Sequence, residues 1–250
     1  MRTVSLLLVC CFPILILSCT STTANPPKVE LTPQQVIQKN IDSLIRTAQP
    51  GDLIARMNEN IISYHVKNFN YSDKSFSHAG VVMMKDGRKV VCNIDANEKG
   101  MDTVRYDVIE KFIDPNENYL CGLFRFDLNE TEKENFFKEL NAYHDKHAHF
   151  DRRFDLATDS LVYCSEMISK SLTRATKGRL VFKEVVTPKH MLPLMTKFFK
   201  EEAPKNTPDK KVAEVIERRK YVSIDALYLI PDCKELMRFK LKHFQGDDSE

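Results

Sequence analysis

Apolar and polar residues alternate on both sides of an Asp-Gly pair at residues 86 and 87. Asp-Gly between two such runs predicts a β-hairpin with a two-residue turn, because both turn residues need a positive φ angle. This turn sets the register, so that Lys85 faces Arg88 and His78 faces Asp95. One face of the hairpin is apolar and is predicted to lie toward the core: Ala79, Val81, Met83, Val90, Cys92 and Ile94. The other face is mixed and suits the wall of a cleft: His78, Gly80, Val82, Asn93 and Asp95.

The rest of the pattern predicts helices and strands in a mixed order. Apolar residues at helical spacing predict helices over 33–48, 131–146, from 159 or 160 to 175, and 211–220. Short apolar runs predict strands at 52–56, 119–126, 180–186, 228–230 and 236–241. Because this order lacks a regular strand–helix–strand repeat, it favours an α+β fold, with a small antiparallel sheet or barrel packed against helices.

The N-terminus has a different pattern. Arg2 is followed by an apolar run over residues 4–17, which is shorter than the roughly 20 residues of a membrane-spanning helix and is typical of a secretory signal. The sequence ILSC at 16–19 resembles the bacterial lipobox, which predicts a signal peptide of residues 1–18 and lipidation of Cys19. An ordinary signal peptide, cleaved near Cys19 or Ala24, is the alternative.

Residues 19–32 contain Pro26-Pro27 and are predicted to form a tether between a membrane anchor at Cys19 and the folded domain. Residues 33–200 are expected to form that domain, and 201–250 a C-terminal extension packed on it. The protein is therefore expected in the bacterial cell envelope, lipid-anchored, and either periplasmic or surface-exposed.

Composition excludes several classes of function. The 37 Lys and Arg residues are nearly balanced by 35 Asp and Glu, and no basic patch is interleaved with aromatics, so no nucleic-acid partner is expected. No Cys-x-x-Cys occurs, and the cysteines that remain after the signal are scattered, which favours neither a zinc site nor a disulfide scaffold. His144, His147 and His149 are expected at a solvated helix end. No metal or other cofactor is predicted.

Cys164 lies in the sequence LVYCSEM, near the start of a predicted helix. The free N–H groups of a helix N-terminus lower the pKa of a thiol there and can hold an oxyanion. The alternative is a buried structural cysteine, because Cys164, Ile168, Leu172 and Ala175 share one helical stripe. His78 beside Asp95 also has two interpretations, a general base with a fixed tautomer or a structural salt bridge.

Five short motifs in a fixed order, PGDLIAR, SHAG, NIDA, FDL and YCSE, resemble the YiiX-like group of permuted papain-fold hydrolases, which are relatives of the NlpC cell-wall peptidases. The resemblance covers residues 49–195. It implies a circularly permuted papain-like core in which the histidine strand precedes the cysteine helix.

The resemblance implies Cys164 as nucleophile, His78 as general base and Asp95 as the acid that orients His78. Asp95 stands where the family commonly has Glu. Asp52, Tyr163 and Asp155 are implied as residues that support the site or contact substrate.

The function expected from this triad is hydrolysis of an amide bond, in a cell-wall peptide or a similar substrate, through an acyl-enzyme. One alternative is a lipid or acyl-ester hydrolase or an acyltransferase that uses the same triad. The others are a lipoprotein that binds a peptide or lipid without catalysis, and a metal-dependent protein that uses the histidine cluster.

Overall fold

The structure, a computed structural model, describes residues 31–96, 102–202 and 204–242. The predicted signal peptide, the predicted lipidation site Cys19 and nearly all of the predicted tether lie outside the described residues. The helices and strands given below belong to one unit that begins at Thr32.

A six-stranded antiparallel sheet forms the centre of the fold. The strands of the described chain are β1 (Leu53–Asn58), β2 (His78–Lys85), β3 (Arg88–Asn93), β4 (Arg105–Val108), β5 (Asn118–Phe126), β6 (His149–Phe150), β7 (Leu161–Val162), β8 (Glu184–Val186), β9 (Lys220–Val222) and β10 (Cys233–Lys240). The order across the central sheet is β10-β5-β1-β2-β3-β4, and β6-β7 and β8-β9 form two small sheets. Because β1 and β2 are neighbours, Arg56 pairs with His78.

Helices cover both faces of this sheet. They are α1 (Pro33–Thr47), α2 (Ile61–Val66), α3 (Ile109–Phe112), α4 (Glu130–Asp145), α5 (Cys164–Ala175), α6 (Leu192–Glu202), α7 (Asp209–Arg218) and α8 (Ile224–Tyr228), with 3₁₀ turns at Lys67–Phe69 and Lys189–Met191. The first predicted helix is confirmed by α1, and the mixture of helices with an antiparallel sheet confirms the α+β class.

The Asp-Gly hairpin is confirmed. Asp86 and Gly87 both have positive φ, at 50° and 75°. The pairing of β2 with β3 runs from Lys85 opposite Arg88 to Val81 opposite Cys92, as the two-residue turn requires. All six residues of the predicted apolar face are buried in the largest core cluster.

Gly80 of the SHAG sequence permits a close approach of β2 and β3. A Cβ atom at this position would lie 2.4 Å from Cγ1 of Val91 and 3.1 Å from Cβ of Asn93. A larger residue would therefore force Val91 to shift and would also press on Asn93.

Several predicted boundaries differ from the structure: the strand predicted at 180–186 is limited to Glu184–Val186, and the helix predicted over 211–220 is Asp209–Arg218. The helix that was predicted to start at 159 or 160 starts at Cys164, because Leu161 and Val162 instead pair with His149 and Phe150 as short parallel strands. The strand predicted at 228–230 is wrong, since its first residue ends helix α8. Of its three residues, Tyr228 is buried in the core and Leu229 is 44% exposed.

The alternation of side chains along β1 separates two parts of the core. Leu53 and Ala55 belong to the cluster that includes Ile168 of α5, whereas Ile54 packs with Leu44 of α1 on the opposite face. Helix α5 contacts β2.

Candidate active site

Cys164 is the first residue of α5, directly after the extended residue Tyr163. The turn is closed by Glu166, whose Oε2 accepts a hydrogen bond from the N–H of Tyr163 at 3.3 Å. Lys170 lies 2.8 Å from the other carboxylate oxygen of Glu166. The buried Glu166 therefore fixes the point at which the chain enters α5 and, with it, the position of the thiol.

A cavity of about 950 Å³ lies at this end of α5, and both Cys164 and His78 line it. Asp95, Arg56 and Tyr163 also line the cavity. Its volume is at the upper end of the range of roughly 300–1,000 Å³ that is typical of ligand pockets. The structure thus brings the predicted nucleophile, base and acid, which are far apart in the sequence, to one cavity.

Three backbone N–H groups act on the thiol of Cys164. They belong to Ala79, the residue after His78, and to Cys164 and Ser165 at the start of α5. Each favours the thiolate and lowers the pKa of the thiol. The contact with Ala79 places the sulfur against the strand that carries His78.

Burial nevertheless raises the pKa of Cys164 to about 11, because the thiolate loses more from leaving water than it gains from the N–H groups. The lowered thiol pKa predicted from the helix N-terminus is therefore wrong for the free protein. Cys164 is 7% exposed and packs with Ile168, Leu172 and Ala175, so it belongs both to the predicted core stripe and to the cavity wall.

The imidazole of His78 contacts Asn93. Its Nε2 lies 3.3 Å from Oδ1 of Asn93. Nδ2 of Asn93 donates to the carboxylate of Asp107 at 3.0 Å and to the carbonyl of Val91 at 3.2 Å, so Oδ1 is the atom that faces the ring. Nε2 of His78 must then carry the proton, which leaves Nδ1 with the lone pair that a base requires.

Asn93 is the site residue that the sequence argument did not select. Its position on the same hairpin face as His78 was the available signal. Asp95 was predicted as the partner of His78 instead, because carboxylates commonly orient a histidine ring.

Asp95 forms a salt bridge with Arg56, at 3.2 Å. Arg56 also donates to Oδ1 of Asn118 at 3.1 Å and lies over the ring of Phe112, at 4.7 Å from its centroid. Asp95 acts on His78 through its charge, which raises the pKa of the imidazole. The structure places the predicted acid beside the predicted base, with its carboxylate held by a guanidinium.

The balance of these effects keeps His78 neutral. Burial lowers its pKa to about 4, and the charges of Arg56 and Arg105 act in the same direction, against Asp95. In the free protein the proton therefore stays on Cys164 and the imidazole is unprotonated. Such a site starts from a neutral pair, and proton transfer must accompany attack on the substrate.

The buried neutral imidazole predicts a specific loss of stability in acid. His78 stays neutral down to a pH of about 4 in the folded protein, whereas the unfolded chain protonates it below its ordinary value of 6.5. Between these pH values the unfolded state binds more protons than the folded state. As the pH falls from 6.5 to 4, His78 therefore lowers the free energy of unfolding by about 1.4 kcal/mol per pH unit, and by about 3 kcal/mol in total.

Urea denaturation between pH 4 and pH 7 measures this effect by comparing the wild type with His78→Gln. The variant is expected to show a shallower decline, and His190→Gln, at an exposed position, is the matched control. If the free energy of unfolding declines with pH equally in the wild type and His78→Gln, the assignment of a buried neutral imidazole to His78 is contradicted.

The three predicted supporting residues differ in position. Tyr163 lines the cavity, and its hydroxyl accepts the N–H of Val222 at 2.8 Å. Asp52 is buried outside the cavity lining, where Arg125 binds its carboxylate with two bonds of 2.7 Å. Asp155 also lies outside the lining, and its Oδ1 accepts the N–H of Ala157 at 3.1 Å. Of the three, only Tyr163 has contact with the cavity.

Within residues 31–96, 102–202 and 204–242, the other cysteines and the histidine cluster have separate surroundings. Cys92, Cys121 and Cys233 are free thiols, and burial raises the pKa of each. His144 and His149 contact different carboxylates, those of Asp145 and Asp102. Among the described residues, no three His, Cys, Asp or Glu side chains meet in a group that could hold a metal ion.

In the described part of the chain, no helix combines the length and the apolar character needed to cross a lipid bilayer.

Comparison with known proteins gives a likeness in fold. No family model matches the chain, and no curated protein matches it. Among solved structures, the metalloprotein yiiX of Escherichia coli O157:H7 matches with a TM-score of 0.58 and 20% sequence identity, over 77% of this chain and 98% of that chain. The chain therefore has a YiiX-like fold.

Proposed function

We propose that this chain is a cysteine hydrolase with a circularly permuted papain-like core, related to the NlpC cell-wall peptidases. One observation carries the proposal. Cys164 at the start of α5 and His78 at the start of β2 line one cavity, and the N–H of Ala79 faces the sulfur. The order of the two residues, with the histidine strand before the cysteine helix, is the order of a permuted core.

The chemistry follows from the two neutral groups. Nδ1 of His78 takes the proton of Cys164 while the sulfur attacks the carbonyl carbon of the substrate and forms an S–C bond. The carbonyl oxygen becomes an oxyanion, and the N–H of Cys164, one of the free N–H groups at the start of α5, donates to it. The protonated ring is stabilised by Asn93, which accepts from Nε2, and by the charge of Asp95.

The second half of the reaction reverses these transfers. His78 gives its proton to the leaving amine, the C–N bond breaks, and an acyl-enzyme remains on Cys164. Water then attacks the acyl carbon and passes a proton to His78. The S–C bond breaks, the sulfur regains its proton, and the acid product leaves. The described residues offer no three-ligand cluster, and no step is assigned to a metal.

The substrate class that this chemistry fits is an amide of the cell-wall peptide type. A second candidate, an acyl ester or other acyl lipid, is favoured by the apolar side chains on one part of the cavity wall. Both substrates present a carbonyl carbon to the same thiol and give the same acyl-enzyme.

The proposal includes a lipid anchor in the bacterial envelope, with signal peptide 1–18, lipidated Cys19 and tether 19–32. It is supported by the lipobox-like sequence ILSC. Fractionation of cells that express Cys19→Ser tests this point. The variant is expected to leave the membrane fraction, and a membrane-bound variant would count against the anchor.

The test of the activity compares the wild type with Cys164→Ala on two substrate pools, purified muropeptides and phospholipids. The wild type is expected to release a new amine or acid from one pool, and the variant is expected to release none, because the acyl-enzyme cannot form. Cys233→Ala is the matched control, since Cys233 is a free thiol outside the cavity lining. Equal turnover by the wild type and Cys164→Ala, or no turnover of either pool, would refute the proposal.

A further inference from the structure

Three polar side chains form a row across neighbouring strands at the site. His78 begins β2, Asn93 ends β3, and Asp107 lies in β4 at the edge of the central sheet. Asp107 pairs with Val91, two residues before Asn93, so Asp107 and Asn93 are diagonal neighbours on one face of the sheet. His78, Asn93 and Asp107 are all buried. The row connects the edge of the sheet to the predicted base.

The carboxylate of Asp107 is held in its charged form. Its Oδ2 accepts from Nε of Arg105 at 2.9 Å and from Nδ2 of Asn93 at 3.0 Å. Its Oδ1 accepts from Nζ of Lys111 at 3.0 Å. Burial acts to raise the pKa of Asp107, but these donors and the charge of Arg105 outweigh it, so the pKa lies below its ordinary value. A charged carboxylate has no hydrogen to donate and can only accept.

The side-chain amide of Asn93 has one orientation that satisfies its neighbours. Asp107 and the carbonyl of Val91 are both acceptors, and they bind Nδ2 of Asn93 at 3.0 and 3.2 Å. A half-turn of the amide would place Oδ1 against these two oxygens, which repel it and offer it no hydrogen. Asp107 therefore helps to keep Oδ1 of Asn93 toward His78.

The acceptor in front of Nε2 selects the tautomer of His78. Nε2 lies 3.3 Å from Oδ1 of Asn93, and it donates to this oxygen only when it carries the proton. Nδ1 then keeps the lone pair that the proposed reaction uses on Cys164. In the other tautomer Nδ1 carries the proton, and the ring cannot take a second one from the thiol through that atom.

Arg105 makes the carboxylate of Asp107 necessary for this arrangement. The Nε–H of Arg105 donates to the same carboxylate oxygen that binds Asn93. Without the carboxylate this N–H loses its acceptor, and Oδ1 of Asn93 can replace it when the amide turns. Nδ2 of Asn93 would then face Nε2 of His78, and the ring would take the tautomer with its proton on Nδ1.

From these contacts we propose that Asp107 is a positioning residue of the site, which acts through Asn93 to keep the proton of the neutral imidazole of His78 on Nε2. The value of this role for catalysis rests on the proposed cysteine chemistry. The tautomer itself is a property of the resting protein, so it is measured without turnover.

The first experiment observes the tautomer directly. Long-range proton–nitrogen correlation spectra of protein labelled with nitrogen-15 histidine distinguish a protonated ring nitrogen from an unprotonated one. The chain has 7 histidines, and the signal that is missing in His78→Gln belongs to His78. At pH 7, well above the pKa of about 4, the wild type is expected to carry the proton on Nε2. A wild-type ring protonated on Nδ1 would overturn the proposal.

Two substitutions of Asp107 test its part in this tautomer. Asp107→Leu has no acceptor and is expected to lower the ratio of the Nε2–H to the Nδ1–H tautomer about tenfold, the factor that matches the loss of one hydrogen bond to a charged group. Asp107→Asn keeps an acceptor oxygen and is expected to retain the wild-type ratio. An unchanged ratio in Asp107→Leu, or an equal shift in Asp107→Asn, would overturn the proposal. Asp107→Ala repeats the comparison should Asp107→Leu fail to fold.

Glu132→Leu is the matched control for loss of a carboxylate bound by an arginine. The side chain of Glu132 is 12% exposed, and Arg179 lies 2.7 Å from its carboxylate. Glu132 is in the first turn of α4, where it caps the helix with Asn129. The control is expected to lower the Tm without a change of tautomer. An equal change of tautomer in Glu132→Leu and Asp107→Leu would be a general effect of destabilisation and would refute the role of Asp107.

The pH dependence of acylation gives a second readout. With p-nitrophenyl acetate at pH 7, Asp107→Leu is expected to acylate Cys164 about tenfold more slowly than the wild type, in proportion to the lost tautomer. The deficit is expected to disappear toward pH 11, where the thiol ionises without a base. A deficit of the same size at pH 7 and pH 11 would indicate a damaged site and count against the proposal.

Tautomer and acylation together separate this proposal from the proposed function. A tautomer change in Asp107→Leu, without an acyl adduct on wild-type Cys164 from p-nitrophenyl acetate, would support the role of Asp107 and refute the hydrolase. An acyl adduct in the wild type, together with the same tautomer in the wild type and Asp107→Leu, would support the hydrolase and refute the role of Asp107.

Discussion

Replacing His78 by glutamine is expected to lower the rate at which Cys164 is acylated by about 10²–10⁴-fold at pH 7. The pKa of the Cys164 thiol is raised to about 11, so the sulfur holds its proton at neutral pH and needs a base at the moment of attack. Glutamine approximates the size of the imidazole but cannot accept the proton. Release of p-nitrophenolate from p-nitrophenyl acetate measures the acylation rate.

The deficit of His78→Gln is expected to shrink as the pH rises toward 11, because the thiol then ionises without a base. This pH dependence separates loss of a base from a misfolded site, which higher pH would not repair. His190→Gln is the control, because His190 is exposed and outside the cavity lining. A rate within twofold of the wild type for His78→Gln at pH 7 would remove His78 from the mechanism.

Replacing Asn93 by alanine is expected to lower the acylation rate by about 10²-fold, as is usual when a catalytic group loses its orientation. Without Oδ1 of Asn93, Nε2–H of His78 loses its acceptor at 3.3 Å, and the ring is free to turn or to change tautomer. Asp95→Asn is expected to have a smaller effect, within about tenfold, because Asp95 is bound to Arg56 and acts on the ring through charge.

The two variants are compared on p-nitrophenyl acetate across pH 5–9, with thermal unfolding as the control for folding. A positioning role for Asn93 predicts a lower rate at every pH, whereas loss of the Asp95 charge lowers the pKa of His78 further, in the direction set by burial. A larger loss in Asp95→Asn than in Asn93→Ala would show that the carboxylate orients the ring, as the hairpin register suggested.

Local sequence determined the hairpin and its faces. Asp86 and Gly87 both adopt positive φ, which sets a two-residue turn and hence which residues oppose each other. Strict alternation then decides which side chains enter the core, because neighbouring side chains point to opposite faces of a strand. The first helix was also predictable from local sequence, because Thr32 and Gln35 cap it through contacts within one turn.

The partners at the site were decided by tertiary structure. Arg56 reaches Asp95 from β1, 39 residues away in sequence, and this contact leaves Asn93 as the hydrogen-bond partner of His78. The start of α5 at Cys164 depends on the pairing of β7 with β6, in which His149 pairs with Leu161, 12 residues later in the sequence. The register of a hairpin gives no information about contacts with a third strand. Helical periodicity likewise does not reveal the strand pairing that keeps residues out of the helix.

The sequence alone thus determined the turn, the faces of the hairpin and the α+β class, because these depend on residues close together in the chain. Only the tertiary structure decided the protonation of the site and the shape of its cavity. The pKa values of Cys164 and His78 depend on how much water the whole fold excludes, and the cavity wall comes from α6 and β9, which meet Phe69 and Tyr163 only after the chain has folded.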